Sequence, residues 1–198
     1  MDDKTRITVD PEELLILVDD NDEIVGYEEK NACHVENGIL HRAFSIFIFN
    51  NKGEFLLQKR SMAKLLWPGY WSNSVCSHPR KGETYESAAA RRLFEEIGLE
   101  SEIDYFFKFR YQAAYKNIGS ENEMCALFAG VSEGEVKADP AEISEWKFIE
   151  TVELNETMKA HPDIFTPWFK MEWQRFAEMN ILPSLLNGRV RAKTKSVI

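Results

Sequence analysis

A chain of 198 residues with 44% hydrophobic and 12% aromatic content can close one sizeable core. Its formal net charge of -9 excludes a general nucleic-acid surface, and leaves an anionic small substrate only where metal ions or a local group of Lys and Arg receive it. Its apolar runs fall far short of a bilayer span, the first residues are acidic, and three cysteines without framework spacing point to a reducing compartment, so a cytoplasmic protein with no membrane and no nucleic-acid partner is expected.

Residues 1–13 lack apolar periodicity and read as a lead-in to a single domain over residues 14–180. Leu14 to Val18 and Ile24 to Tyr27 flank the cluster Asp19-Asp20-Asn21-Asp22 and predict a hairpin. That acidic turn lacks the Gly and distal Glu of a calcium loop and reads as solvated. His34 and His41 lie either side of Gly38, and Ala43 to Phe49 is the strongest strand signal, placing His41 at the rim of a sheet. Asn50 to Gly53 turns the chain into a second strand, Glu54 to Arg60. Ser61 to Tyr70 is irregular, and Trp71 to His78 is a strand or extended turn stopped by Pro79 and Gly82.

From Thr84, an N-cap, the spacing of Ala89, Leu93 and Ile97 predicts a helix that Gly98 ends, with Arg92 and Glu96 one turn apart beside its apolar face. Glu102 to Tyr115 and Glu121 to Val131 are strand candidates. In the second, alternation puts Glu121, Glu123 and Cys125 on one face, where two carboxylates repel unless a cation or proton lies between them. A short strand around Trp146 to Ile149 and one helix over Pro162 to Asn180 follow, then a tail, residues 181–198, whose Arg189, Arg191, Lys193 and Lys195 read as a solvated end. The order of elements suggests an α/β (α+β) domain, a mixed sheet flanked by helices.

Three imidazoles, His34, His41 and His78, and two carboxylates, Glu121 and Glu123, suit a divalent transition metal or zinc, whereas His161 reads as a surface residue. Cys33 and Cys125 read as small core residues. Cys76, flanked by Asn73, Ser74 and His78, has a polar setting expected to lower its thiol pKa. Lys30, Arg60, Lys64 and Arg92 are the basic residues nearest these groups in sequence and suit a diphosphate.

Gly82-Glu83 followed by Arg91-Arg92-Leu93-Phe94-Glu95-Glu96-Ile97-Gly98-Leu99 resembles the Nudix box, with Ser77 in place of its opening Gly and Arg92 in place of the Glu of its Arg-Glu pair. With Ala32-Cys33-His34, His41-Arg42-Ala43-Phe44, Lys59-Arg60, Trp67-Pro68-Gly69, Trp71 to Pro79, Phe109-Arg110-Tyr111, Glu121-Asn122-Glu123 and Thr166-Pro167-Trp168, the chain is similar to the type I isopentenyl-diphosphate isomerases over about residues 14 to 177. The resemblance implies Nudix-like mixed sheets and interconversion of isopentenyl and dimethylallyl diphosphate through a tertiary carbocation. It implies a divalent metal, Mn2+, Zn2+ or Mg2+, on His34, His41, His78, Glu121 and Glu123, and a Mg2+ bound with the diphosphate near Glu96 and the Cys76 carbonyl. It assigns diphosphate contacts to Lys30, Arg60, Lys64 and Arg92, proton handling to Cys76 and Glu123 with Tyr111 assisting, and the hydrocarbon wall to Trp168, in a monomer or weak homodimer. The competing readings are a Nudix pyrophosphohydrolase of a nucleoside-diphosphate compound, which the altered box disfavours, and a metal-stabilised diphosphate-binding protein in which Cys76 is inert.

Overall fold

The computed structural model describes residues 14–188; the lead-in and the basic stretch 189–198 lie outside them. Strands β1 (Leu14–Val18) and β2 (Ile24–Glu29) form the expected hairpin, followed by a four-residue helix, α1 (Lys30–Cys33), too short to leave a periodic signal. Then come β3 (His41–Phe49), β4 (Phe55–Arg60), β5 (Trp71–Ser72), β6 (Val75–Ser77), helix α2 (Tyr85–Ile97), β7 (Ile103–Tyr115), β8 (Gly119–Val131) and β9 (Ile143–Ile149). Helix α3 (Thr151–Ala160) precedes a 3-10 turn at Pro162–Ile164, and α4 (Pro167–Glu178) and α5 (Leu182–Leu186) complete the described chain.

The single helix expected over 162–180 is therefore a 3-10 turn, a break and α4. Pro167 explains the break: a proline pushes the residue before it into extended geometry, and Thr166 has φ -62 and ψ 146. Packing also continues past residue 180, since Ile181 and Leu185 are buried in the main core.

The nine strands form one mixed sheet centred on β3, which pairs in parallel with β8 and antiparallel with β1, β4 and β6 along its length. Period-two alternation splits β3 between two cores. Phe44, Ile46 and Ile48 meet α2 through Ala88, Ala89, Leu93 and Ile97, while Phe47 and Phe49 meet α4 through Phe169, Trp173 and Phe176. Each fully buried Leu, Ile or Phe contributes about 1.5–3 kcal/mol relative to exposure, which fixes the register of both layers.

Helix α2 begins and ends as its sequence requires. Thr84 Oγ1 accepts from the Ser87 amide at 3.2 Å and Ser87 Oγ accepts from the Thr84 amide at 3.0 Å, a reciprocal cap. At the other end Gly98 has φ +70, and a Cβ there would stand 2.8 Å from Lys137 Cβ, so only glycine closes the helix at this place.

Candidate active site

Strand register assembles the centre of the site. Across the parallel pair β3 and β8, His41 stands opposite Glu123; across the antiparallel pair β7 and β8, Tyr111 stands opposite the same Glu123. Strand β6 adds Cys76 opposite Ser45 and is followed by His78, while α1 ends on His34. A close backbone approach seats His34: a Cβ on Gly119 would stand 2.2 Å from the His34 carbonyl oxygen, and the next amide, Ser120, donates to that oxygen at 3.0 Å.

The donor atoms of His34, His41, His78, Glu121 and Glu123 all lie within 4.8 Å of one another. His34 Nδ1 donates to the Lys30 carbonyl at 2.5 Å and His41 Nδ1 to the Ile39 carbonyl at 2.7 Å. In the neutral form of each ring these bonds place the lone pair on Nε2, as a metal ligand requires. His34 Nε2 is 2.8 Å from Glu121 Oε2, and His78 Nε2 and His41 Nε2 are 3.0 and 3.7 Å from Glu123 Oε1. His41 Nε2 and Glu121 Oε2 are buried with no well-formed hydrogen bond. Buried lone pairs aimed at one another without a donor are costly, and a divalent cation among them would satisfy them together. The donor set thus fits a metal.

The electrostatics agree. Burial, with repulsion from His34, holds the His41 imidazole down at about 4, and burial with the neighbouring His41 holds His78 well below its ordinary value. Burial opposes charge on His34 too, but the Glu121 carboxylate, 2.8 Å away, outweighs it and raises this imidazole. Between the carboxylates the proton is unequally shared. Burial and the charge of Glu121 push Glu123 well above the carboxylate range, whereas burial at Glu121 is outweighed by the imidazoles of His34 and His41 beside it, which keep it low.

These groups form one wall of a cavity of ≈ 270 Å³ that also takes in Lys30, Arg60, Lys64, Cys76, Arg92, Tyr111 and Trp168. All the sequence-predicted site residues line it except His41, buried behind the metal ligands, and Glu96, buried under Arg92. Tyr111 Oη donates to Glu123 Oε2 at 2.5 Å. Arg60 gives its guanidinium to the Leu66 and Trp67 carbonyls at 2.9 and 3.2 Å and lies 3.5 Å from Cys76 Sγ and 5.2 Å from the centre of the Trp168 ring. It thereby fastens the turn in which Trp67 takes φ +48, a left-handed conformation costly for an aromatic residue before proline.

One expectation is overturned. The polar flanks of Cys76 do not lower its pKa: Asn73 and Ser74 face inward, and burial pushes the thiol up to about 11 although Arg60 pulls the other way. Those flanking side chains hold the frame instead. Asn73 Oδ1 accepts from Trp168 Nε1 at 3.1 Å, and Ser74 Oγ donates to the Leu56 carbonyl at 2.7 Å. Ser77 sits in β6 outside the left-handed region, so a side chain is tolerated where the resemblance has Gly.

Two acidic residues at or near the site gave no signal of their own in the sequence. Glu142 bridges Lys64 and Arg92, and Glu172 of α4 is fully buried against Cys125. Each stands in an ordinary polar helix or loop pattern, and only tertiary packing brings it inward. His161 is exposed and Cys33 and Cys125 are buried, as expected.

The NUDIX domain family matches residues 39–169. The isopentenyl-diphosphate Delta-isomerase 1 of Photorhabdus laumondii subsp. laumondii is 43% identical over 163 residues, 81% of this chain and 93% of that protein. The isopentenyl-diphosphate Delta-isomerase of Serratia proteamaculans is 40% identical over 158 residues, 80% and 88% of the two chains. A crystal structure of a Deinococcus radiodurans protein superposes with a TM-score of 0.68 at 22% identity, over 82% of this chain and 98% of that one. The MutT protein of Methanosarcina mazei superposes at 0.59 and 22% identity, over 71% and 95%. These two structures share the fold.

Proposed function

The chain belongs to the isopentenyl-diphosphate Delta-isomerases of the NUDIX superfamily, an enzyme interconverting isopentenyl diphosphate and dimethylallyl diphosphate, and from that premise we propose how its own residues do so. The observation that carries the reading is Glu123, which shares one cavity with Cys76 and receives a 2.5 Å hydrogen bond from Tyr111.

Moving an unactivated C=C by one position requires a proton added at the terminal carbon and another removed from the carbon nearer the diphosphate. Cys76 and Glu123 are the two proton-handling groups, on opposite faces of the five-carbon chain. By microscopic reversibility, the group that donates in one direction accepts in the other. The shift needs one of the pair protonated and the other not; in the free protein both hold protons, the thiol at about 11 and Glu123 well above the carboxylate range, so one of the two must give up its proton before turnover. Tyr111 donates to whichever charge form Glu123 takes and keeps that carboxyl aimed into the cavity. The tertiary carbocation between the two proton transfers is faced by the Trp168 indole, which stabilises positive charge and excludes water. Asn73 fixes that ring in place.

Lys30, Arg60, Lys64 and Arg92, which line the cavity, receive the diphosphate. A Mg2+ bound with the diphosphate is assigned to Glu96 and the Cys76 carbonyl, and a second divalent ion, Mn2+, Zn2+ or Mg2+, to His34, His41, His78, Glu121 and Glu123. When bound, such ions neutralise substrate charge and hold the carboxylates ionised. No described helix is long and apolar enough to cross a membrane, and we assign the enzyme to the cytoplasm as a monomer or weak homodimer.

The test is incubation with isopentenyl diphosphate and Mg2+ in heavy water, with carbon and phosphorus followed by NMR. Dimethylallyl diphosphate carrying deuterium, with its diphosphate intact, is the expected product. Release of phosphate from an unchanged C=C would move the chain to the hydrolases.

A further inference from the structure

Arg92 and Lys64 both line the catalytic cavity, yet they come from distant parts of the chain, α2 and the irregular segment after β4. Two cations brought together repel unless an anion stands between them. That anion is Glu142. Its Oε1 accepts from Arg92 Nη2 at 2.9 Å and its Oε2 pairs with Lys64 Nζ, so one carboxylate spans both cations.

The position of Glu142 is itself fixed by the segments it joins. The Asp139 amide donates to the Glu96 carbonyl at the end of α2, and the Ser61 amide donates to the Glu142 carbonyl, each within 2.9 Å. The loop 139–142 is thus fastened on one side to the helix that carries Arg92 and on the other to the segment that carries Lys64. Glu142 does not line the inner cavity; it lines an adjoining basin with Arg80 and Arg91 that shares Lys30, His78 and Arg92 with that cavity.

We infer that Glu142 is a positioning residue: its carboxylate sets the separation of Lys64 and Arg92, so that the two cations close on a single diphosphate. This rests on the reading that Lys64 and Arg92 hold the diphosphate. Glu95 and Glu96 pair with Arg92 and make no ion pair with Lys64, although the charge of Glu96 is felt there; Glu142 bonds to both cations. The inference separates Glu142 from the groups that handle protons, and it predicts an effect on binding with little effect on the chemical step.

The experiment is calorimetric titration of the full chain with inorganic pyrophosphate in excess Mg2+, paired with isomerase kinetics, for the parent, E142Q, E142D and E145Q. The last is a control, because Glu145 pairs with Lys59 at an exposed position. E142Q should raise the pyrophosphate Kd and the substrate KM by about tenfold with kcat within about threefold. E142D, which keeps the charge, should recover part of the loss, and E145Q should match the parent. If the parent fails to isomerise its substrate while E142Q still weakens pyrophosphate binding, the clamp stands and the isomerase reading falls. A parent that isomerises, with E142Q binding pyrophosphate as tightly as the parent or more so, overturns the clamp and makes Glu142 a bystander or a competitor of the substrate.

Discussion

Tyr111 and Glu123, opposite each other on β7 and β8, share a hydrogen bond of 2.5 Å from phenol to carboxylate Oε2. The other oxygen, Oε1, faces His78 and His41, so the two edges of one carboxyl group serve two different environments. Burial and the charge of Glu123 hold the Tyr111 phenol well above its ordinary value, so it remains a donor across the working pH range.

Tyr111→Phe should lower kcat by about 10- to 100-fold with KM nearly unchanged, the size expected for loss of an assisting proton donor. Glu123→Gln and Cys76→Ala should each abolish turnover and leave the fold intact. Steady-state kinetics beside far-UV circular dichroism check all three; near-normal kcat in either of the last two would remove that residue from the mechanism.

Cys76 should react as a neutral thiol. With its pKa pushed up to about 11 by burial, its thiolate fraction is small at neutral pH, though the side chain is partly accessible from the cavity. Iodoacetamide labelling of Cys76 in metal-free protein should be slow at pH 7.5 and still accelerating at pH 9, read by peptide mass spectrometry. A plateau below pH 8 would mean that Arg60 controls the thiol more strongly than burial does.

Binding of a divalent ion should expel protons. His34 and Glu123 both hold protons above their ordinary pKa values in the free protein, and a cation among the five donors must displace them, whereas His41 and His78 are already neutral. Apparent affinity should therefore rise with pH, by as much as about tenfold per unit for each proton released, below the raised pKa values of these two groups and level off above them. Titration with Mn2+ or Zn2+ in buffers of different ionisation enthalpy counts those protons. Affinity independent of pH over this range would mean that His34 and Glu123 are already deprotonated before the ion arrives.

How much of this was legible beforehand depends on what each feature needs. Helix α2 announced itself through Thr84, the spacing of Ala89, Leu93 and Ile97, and Gly98, all local signals. Alternation along β8 placed Glu121, Glu123 and Cys125 on one face, and the faces are as read. The meeting of His41, Tyr111 and Glu123 was different in kind. It depends on the parallel register of β3 with β8, which no local pattern encodes; residue types alone group His41 with Glu123, whereas Tyr111 joins them only through the resemblance of the motifs to a known family. The Cys76 pKa was misjudged because polar neighbours in sequence say nothing about which way they face. Asn73 and Ser74 turn away to hold Trp168 and Leu56. Glu142 and Glu172 gave no sign, since a carboxylate in a loop or on a helix is ordinarily solvated.

Glu172 offers the last prediction, because it is a fully buried acid that does not itself line the substrate cavity. Its Oε1 lies 3.4 Å from Cys125 Sγ and its Oε2 has no hydrogen-bond partner. Burial pushes its pKa from 4.5 to about 8, against hydrogen bonds from Ser45 and Cys125 that act the other way. Because the folded-state pKa is the higher one, the folded protein holds a proton that the unfolded chain releases above pH 4.5. The contribution of this group to stability is therefore greatest below pH 4.5 and is lost as pH rises toward 8. At pH 7 the loss is on the order of 3 kcal/mol. Glu172→Gln keeps the shape and removes the titration, so its stability relative to the parent should climb steadily between pH 4.5 and 8 and level off above that. Urea unfolding of both proteins across this range measures the gap. Parallel curves would show that Glu172 shifts little on folding, for instance because water reaches Oε2.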